Sequence, residues 1–319
     1  MTTGPVRPFT DADYTAYARI TTIAEGRTLD AAGARAEDAL LDTRIYVRLR
    51  LVVPDEEDVP LGYGEIRHEP GHYEPHRYRL RLGVDTRERR RGIGASLWDG
   101  LEAELARRSA EWVDLWAADH TACQAFIVKR GFAEVIRAYE QVLAVASAPL
   151  PTPASEERAA AAGIRVVTLA ELHAERGAAA LESAADLDIA CRADHESTLG
   201  RVAPIAQASW TADHLTDADA LPDAHFMALD GDELVAMSCA RRQSDDTLRI
   251  GVTGVLPSHR RRGLGRLLKL RLHAWAKRNG YSEIHTTTTK PNVGMIALND
   301  ALGYAIVGSR GGYELRLGR

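Results

Sequence analysis

Cysteine is scarce in this chain. Three residues, Cys123, Cys191 and Cys239, are spread over 319 positions. They set neither a metal-ligand spacing nor a disulfide framework, and buried free thiols are the expected state. No metal site is expected. Lysine occurs only at 129, 269, 277 and 290, so almost all the positive charge is arginine. No run approaches the ~18 apolar residues of a membrane span. The opening stretch "MTTGPVRPFTDADY" has no basic flank leading into an apolar core. No secretory signal is therefore expected there, and the cytoplasm is the expected compartment. A formal net charge of −5 argues against a chain built to hold nucleic acid or an anionic membrane.

What the chain does have is a repeated nonapeptide. "RRRGIGASL" runs from Arg89 to Leu97 and "RRRGLGRLL" from Arg260 to Leu268. Some forty residues later "RGF" ends at Phe132 and "LGY" ends at Tyr304, so two landmarks keep nearly the same separation. That is duplication on the scale of a domain. The length agrees with two domains. An Ala-, Pro- and Ser-rich stretch from Ala144 to Gly163 divides the copies and reads as a linker, with a short helical piece after Pro153. The expected division is residues 1–148, a linker at 149–163, and residues 164–319.

Both copies read as the same series of elements. "VRPFT" and "IRVVT" each predict a short strand followed by a helical stretch. "RIYVRLRLVV", from Arg44 to Val53, alternates as a strand does. In the second copy Asp230-Gly231 predicts a hairpin turn. "YRLRLGV" and "LRIGVTGV" are strands that run straight into the two nonapeptides. A helix follows each, then a strand, then a short helix ending at the glycine-aromatic pair. A final hairpin is expected to close each copy. The fold class is α/β (α+β).

A strand delivering a Gly-x-Gly turn into a helix N-terminus builds an anion site. Unpaired backbone N–H groups point outward, the helix dipole adds partial positive charge, and flanking arginines offer planar forks. Glycine lets a bulky anion approach the backbone. A phosphate-bearing ligand, ideally a pyrophosphate, is expected. A nucleotide P-loop would need Lys-Ser/Thr after its glycines, where this chain has Ala95-Ser96 and Arg266-Leu267. A dinucleotide fold would need a third glycine, where it has Leu97 and Leu268. A nucleic-acid module built on the two arginine triplets lacks interleaved aromatics.

Both strings fit the pattern Arg/Gln-x-x-Gly-x-Gly/Ala before a helix. In this they resemble motif A of the GNAT superfamily, the CoA-dependent N-acetyltransferases. "NVGMIALNDALGY", from Asn292 to Tyr304, is similar to the family's next element, an Asn followed by a helix ending in Gly-Phe/Tyr. Nearly the whole chain resembles two such domains in tandem, as in two-domain GNAT proteins of secondary metabolism. The resemblance implies two acyl-CoA N-acyltransferase folds, each a mixed, mostly antiparallel sheet flanked by helices.

It further implies one or two acetyl-CoA per chain. The matching cofactor residues are Val84, Arg89, Arg91, Gly92, Ile93, Gly94 and Ala95 in the first copy. In the second they are Val255, Arg260, Arg262, Gly263, Leu264, Gly265, Arg266 and Asn292. The Val255 N–H would sit where the thioester oxygen gains charge, and Asn292 would hydrogen-bond the pantetheine arm.

The copies are not equal. Where the second has Asn292 and Met295, the first has His120 and Cys123. The second copy is therefore expected to be catalytic and the first to bind cofactor or act as support. Many family members carry a general-acid Tyr seven residues after the Asn; here Asn299 and Ile127 stand there. Some use a Glu on the strand before the loop as base, and the similar positions hold Tyr78 and Arg249. General acid and base are thus unassigned. Glu233, Asp245 and Asp246 read as solvated turn residues, and His225 and His285 as packed strand residues.

The expected reaction is direct acetyl transfer to a primary amine of a small molecule, in a ternary complex. The alternative is a non-catalytic acyl-CoA-binding sensor or assembly protein. Asp186, Asp188, Asp194 and Glu196 could face a cationic amine or form a solvated helix face. The acceptor's identity and the oligomeric state are not legible in the sequence.

Overall fold

The computed structural model describes residues 3–25, 29–70, 73–119, 121–193 and 210–318. His120, Asp194 and Glu196 lie outside the described residues.

The two copies form the same elements in the same order. In the first copy these are β1 (Arg7–Pro8), α1 (Tyr14–Glu25), α2 (Ala31–Ala39), β2 (Arg48–Pro54) and β3 (Pro60–Arg67). They continue with β4 (Arg77–Val84), α3 (Ile93–Arg107), β5 (Trp112–Ala118), α4 (Thr121–Lys129) and β6 (Ala133–Ala144). A helix in the linker, α5 (Pro153–Ala161), starts with Pro at its first turn and is capped by Thr152. The second copy has β7 (Ile164–Thr168), α6 (Leu169–Arg176), α7 (Ala178–Ala193), β8 (His225–Asp230) and β9 (Glu233–Arg242). It ends with β10 (Thr247–Val255), α8 (Leu264–Arg278), β11 (Glu283–Thr289), α9 (Val293–Ala301) and β12 (Ala305–Arg316). The Asp-Gly signal makes its hairpin, with Gly231 at φ 58° between β8 and β9. β2 begins four residues later than the alternation suggests, because Ile45 and Tyr46 N–H donate to the Asp42 carbonyl and hold a turn there.

The strands make one sheet in the order β1-β2-β3-β4-β5-β12-β6-β11-β10-β9-β8-β7. Among the described residues only β4–β5 and β10–β11 pair in parallel. The expected closing hairpins do not form. β6 is one continuous strand that crosses to the second copy and pairs with β11, from Thr289↔Ala138 to Glu283↔Ala144. β12 crosses the other way onto β5, from Arg310↔Ala118 to Arg316↔Trp112. The two exchanged strands pair with each other at the centre. A strand turned back on itself would leave β5 and β11 as open edges. The exchange pairs both.

α3 and α8 lie against one face of the sheet. Ile93, Leu97, Leu101 and Leu105 of α3 meet Leu51, Val53, Ile66 and Leu80. Leu264, Leu267, Leu268 and Leu272 of α8 meet Val235, Ala240, Leu248 and Ile250. The opposite face is covered near the ends by α1 and α2, where Tyr17, Ile20 and Ala34 pack on Val52 and Tyr63. At the other end Leu181, Ala184 and Leu187 of α7 pack with Met237, Cys239 and Val252. Each such leucine contributes about 1.5–3 kcal/mol.

One buried group works against this packing. Lys269 on α8 is 1% exposed, with its ammonium 4.8 Å from the centre of the Tyr304 ring. Burial pushes its pKa down to about 7. Beside it the His273 Nδ1–H donates to the Pro149 carbonyl, and its Nε2 accepts from the Tyr304 hydroxyl. This bond ties the linker to the second copy.

Two outcomes follow. The unfolded lysine keeps its proton to about 10.5 while the folded one loses it near 7. Lys269 therefore costs stability fully below pH 7, and the cost fades as pH rises toward 10.5. Lys269→Met is expected to raise the melting temperature at pH 7, with an advantage that shrinks by pH 10 in a thermal-unfolding series. Separately, residues 1–148 produced alone leave β5 without β12 and are expected to aggregate, while co-expression with 149–319 restores a soluble 1:1 pair on a sizing column. A soluble, cooperatively melting 1–148 monomer would count against the exchange.

Candidate functional site

The site begins where two parallel strands part. β4 and β5 pair only at Arg77↔Trp112, Tyr78↔Val113 and Arg79↔Asp114, yet β4 runs on to Val84. β10 and β11 pair from Thr247↔Glu283 to Ile250↔Thr286, and β10 runs on to Val255. Each strand's outer side stays paired, with β3 and β9 respectively. The inner side is open. The Leu256 N–H donates to the Val235 carbonyl on β9. Successive backbone groups alternate along a strand, so the N–H groups of Thr253 and Val255 face the opening. The Asp85 N–H donates to the Leu61 carbonyl, which aims Leu82 and Val84 the same way. A ligand with amides of its own can pair there as an added strand would.

The loop beyond each opening has the same shape. Arg90 and Arg261 are left-handed at φ 69° and 64°, and Gly92 and Gly263 at 87° and 82°. Gly92 and Gly263 are the N-caps of α3 and α8, and no side chain caps either helix. The first N–H groups of each helix are therefore left for an anion. Arg89 and Arg260 do not extend toward it through Nε. Each folds back to donate to the carbonyl that ends its strand, Val84 at 3.4 Å and Val255 at 3.0 Å. They clasp the loop. Gly94 and Gly265 sit just inside the helices, and a methyl group there would meet nothing closer than 3.5 and 3.6 Å. That is ordinary van der Waals contact with Leu82 and Phe126 in the first copy and with Val255 and Leu298 in the second, so a methyl group would fit but would fill the close approach to the backbone. The loops thus fit a pyrophosphate approaching the backbone.

Charge separates the two loops. Arg91 is ion-paired with Glu88. Between Val255 and Arg266 the second loop has no acid at all. Arg262 and Arg266 are exposed there and make no ion pair among the described residues. Ile93 and Leu264 are buried in the two cores, while Ala95 is exposed on the first turn.

The openings differ as well. β10 carries a bulge between Ile250 and Val252, with Gly251 as the extra residue, and β4 has none. Before the bulge the counterpart of Arg249 is therefore Arg79, each paired across the parallel strands with His285 and Asp114 respectively. Tyr78 instead corresponds to Leu248. The one-residue length difference between "YRLRLGV" and "LRIGVTGV" is the signal that could have revealed this.

Asn292 caps α9, its Oδ1 accepting from the Met295 N–H at 3.1 Å. Asn299 is fully buried; its amide donates to Gln141 Oε1 at 2.8 Å and Thr288 Oγ1 at 3.1 Å, and its Oδ1 has no partner. It offers no acidic proton. Gln141 arrives from the exchanged β6, which the sequence could not place beside α9. Asp188 is buried and bonded to Arg192 and Trp210, whereas Asp186 is exposed. Glu233, Asp245 and Asp246 are exposed at strand ends and turns. His225 is 1% exposed, and burial pushes it down to about 3, so it stays neutral. His285 bonds Glu283 at 2.9 Å. His68 and His76 flank the undescribed His72 at four-residue spacing. The His68 ring stacks on Tyr78 and its Nδ1 accepts from the Val47 N–H. The described residues contain no cluster able to hold a metal ion, and no helix among them is long and apolar enough to cross a membrane.

Residues 18–132 and again 192–304 match the Acetyltransferase (GNAT) family. No curated protein matches the chain. A tandem GNAT protein from the clavulanic acid biosynthesis pathway, solved without AcCoA, has a similar fold: TM-score 0.72, 15% identity, covering 100% of this chain and 99% of that one. A GCN5-related N-acetyltransferase from Sphaerobacter thermophilus gives 0.69 and 17%, covering 98% and 96%. A GCN5-related glucosamine N-acetyltransferase region of a fungal multi-domain protein gives 0.69 and 14%, covering 98% of this chain and 38% of that one.

The two kinds of loop arginine are expected to separate on substitution. Arg262→Ala should weaken coenzyme A binding about 10-fold, the scale of one charge-assisted hydrogen bond, with an unchanged melting temperature. Arg260→Ala should weaken binding and lower the melting temperature together, because it opens the clasp. Calorimetric titration beside a thermal melt reads both.

Proposed function

The chain belongs to the GNAT acetyltransferase family, and from that premise we propose that it moves an acetyl group from acetyl-CoA to a primary amine of a small molecule, by direct attack within a ternary complex. The observation that carries this is the open inner side of a parallel strand leading into an uncapped, glycine-lined helix N-terminus. Acetyl-CoA supplies a thioester already activated toward an amine. In the second copy Gly263, Leu264, Gly265, Arg262 and Arg266 would hold its phosphates. Thr253 and Val255 would offer N–H groups along the opening, the Val255 N–H toward the thioester oxygen. Asn292 would line the entrance from the α9 side. In the first copy Val84, Arg91, Gly92, Ile93, Gly94 and Ala95 form the matching set, with Arg89 and Arg260 bracing the two loops.

We assign catalysis to the second copy. Its loop has no acid, and its strand has the bulge that turns the backbone at the head of the opening. The first copy is then a cofactor-binding or supporting unit, and the chain takes one or two acetyl-CoA. One solved relative comes from the clavulanic acid biosynthesis pathway and another is a glucosamine N-acetyltransferase region; both favour a small-molecule amine over a protein acceptor. No nucleic acid, membrane or metal enters this reading, and the cytoplasm is its setting. The division into 1–148, a linker at 149–163, and 164–319 is kept as a division of the chain, with β6 and β12 contributed across it. The buried Asn299, unable to act as an acid, favours a second reading, an acyl-CoA-binding sensor with no turnover.

Native mass spectrometry with acetyl-CoA, beside an assay of CoA release with an amine panel, tests the assignment. Glu at position 94 or 265 puts bulk and negative charge where the phosphates go. Gly265→Glu is expected to abolish CoA release, and Gly94→Glu to keep it. No acetyl-CoA bound to the wild type would sink the reading. Binding without CoA release from any amine would leave the sensor.

A further inference from the structure

The face of the sheet opposite α3 and α8 carries a layer of arginines. In the first copy every one of them is neutralised by an acid of the fold. Arg48 and Arg50 pair with Asp38 and Glu65. Arg67 pairs with Glu69, and Arg77 with Glu314. Arg79, at the head of the β4–β5 opening, pairs with Asp114 directly across the parallel strands and reaches Glu69 at 3.5 Å. Asp114 is 2% exposed, so this pair plugs the head of the first opening.

The second copy repeats the arginine without the acid. Arg249 holds the register position of Arg79, and the residue across from it is His285, not an aspartate. Leu248 and Ile250 face the α8 core, so alternation sends Arg249 to the opposite face. Its Nε donates to Gln243 Oε1 at 2.9 Å and its Nη1 to Thr287 Oγ1 at 3.2 Å. Both acceptors are neutral, and no carboxylate of the described residues ion-pairs with it. His285 is itself held by Glu283. Burial pushes the Arg249 pKa below its usual value, Glu140 opposes that, and a second guanidinium, Arg310, adds to it. Arginine cannot escape by losing its proton, so the charge stays, and its partial desolvation is offset by two neutral acceptors and the nearby Glu140 rather than by an ion pair. Arg310 lies over the Trp116 ring at 5.1 Å and makes no ion pair among the described residues. Glu140 stands on the exchanged β6 opposite Thr287 and ion-pairs with neither arginine.

The head of the second opening thus presents a guanidinium and a nearby carboxylate, Glu140, neither of which makes an ion pair among the described residues. The cofactor's phosphates cannot be the missing anion. From Arg249 to the end of β10 is six residues, about 20 Å at 3.3 Å each, and the loop lies beyond that. The anion must come with the other substrate. We propose that the acceptor is an amine that also bears a carboxylate, and that Arg249 is the specificity-determining residue that reads this carboxylate, with Glu140 facing the amine end. The proposal rests on the acetyl-transfer reading and names its substrate class. It also explains why the first opening, plugged by Arg79 and Asp114, is not the one in use.

The test is a matched panel assayed by CoA release. L-alanine, β-alanine and 4-aminobutyrate are each set against their neutral amides and against O-phosphoethanolamine. Acetyl-CoA binding by native mass spectrometry serves as the control for the fold and the cofactor site. The wild type is expected to use at least one amino acid and to prefer it to its amide. Arg249→Ala should lower kcat/KM for the acid by roughly 10–100-fold, mostly through KM, and remove the preference. His285→Asp recreates the first copy's pair and supplies Arg249 with an internal carboxylate. It should cut use of the acid by a similar factor while leaving the amide unaffected. The proposal alone is overturned in three cases while acetyl-CoA still binds: acid and amide used equally or neither used, the phosphate amine used instead, or both variants keeping the wild-type ratio. Failure of acetyl-CoA to bind the wild type overturns the acetyl-transfer reading, and this one with it.

Discussion

Two parallel strands cannot diverge inside a sheet without leaving backbone groups unpaired, and the candidate site residues of this chain gather where that happens. Along β10 beyond Ile250, and along β4 beyond Arg79, the inner N–H and C=O groups have no strand beside them. Buried backbone groups demand partners. The same strands then deliver a helix whose first N–H groups are also uncapped. Two sets of unmet donors thus lie in line along one strand and one helix end. The exchange of β6 and β12 is what lets the divergence persist. β5 and β11 are each anchored on their far side by an antiparallel partner from the other copy. Neither can slide back to close the opening without breaking that ladder.

The loop itself stores a small strain that its repetition explains. An arginine in the left-handed region costs roughly 1–2 kcal/mol, and the loop places one there twice, at Arg90 and Arg261. The preceding arginine offsets this by closing onto the strand's last carbonyl. That carbonyl faces the opening, so the bond also satisfies a group the divergence had stranded. One residue therefore shapes the turn and fills a backbone acceptor, which is why the basic triplet is more than a positively charged patch.

Much of this was legible because it is local. Gly-x-Gly before a helical period, the Asp-Gly turn, and the order of elements all depend on neighbours within a few residues. What was not legible depends on pairing between distant strands. β6 and β12 look alike as isolated strands, and nothing in "EVIRAYEQVL" or "AIVGSRGGYELR" says which copy each will join. The closing hairpin was the wrong expectation for that reason. The Gly251 bulge hides in a one-residue difference of length. Without that bulge Arg249 would align with Tyr78; with it, Arg249 aligns with Arg79. That Asn299 has no acidic proton follows from its side chain alone, but its partners Gln141 and Thr288 come from two different strands and are not legible in the sequence.

Duplication makes the two copies each other's control. Both inherit the same sheet, opening, loop and clasp, so differences between them cannot be charged to the demands of the fold. At the head of the opening the first copy places Asp114 against its arginine, and on the loop it places Glu88 against Arg91. The fold evidently accepts an acid at both places. The second copy has His285 at the first and no acid anywhere along the second loop, and so retains positive charge at both ends of the same opening. Leaving a partly desolvated guanidinium without an ion pair weakens a folded protein, and the neighbouring copy demonstrates that the remedy was sterically available. On the proposed reading, the balance of that cost is recovered when anions arrive from outside, one at the helix N-terminus and one at Arg249.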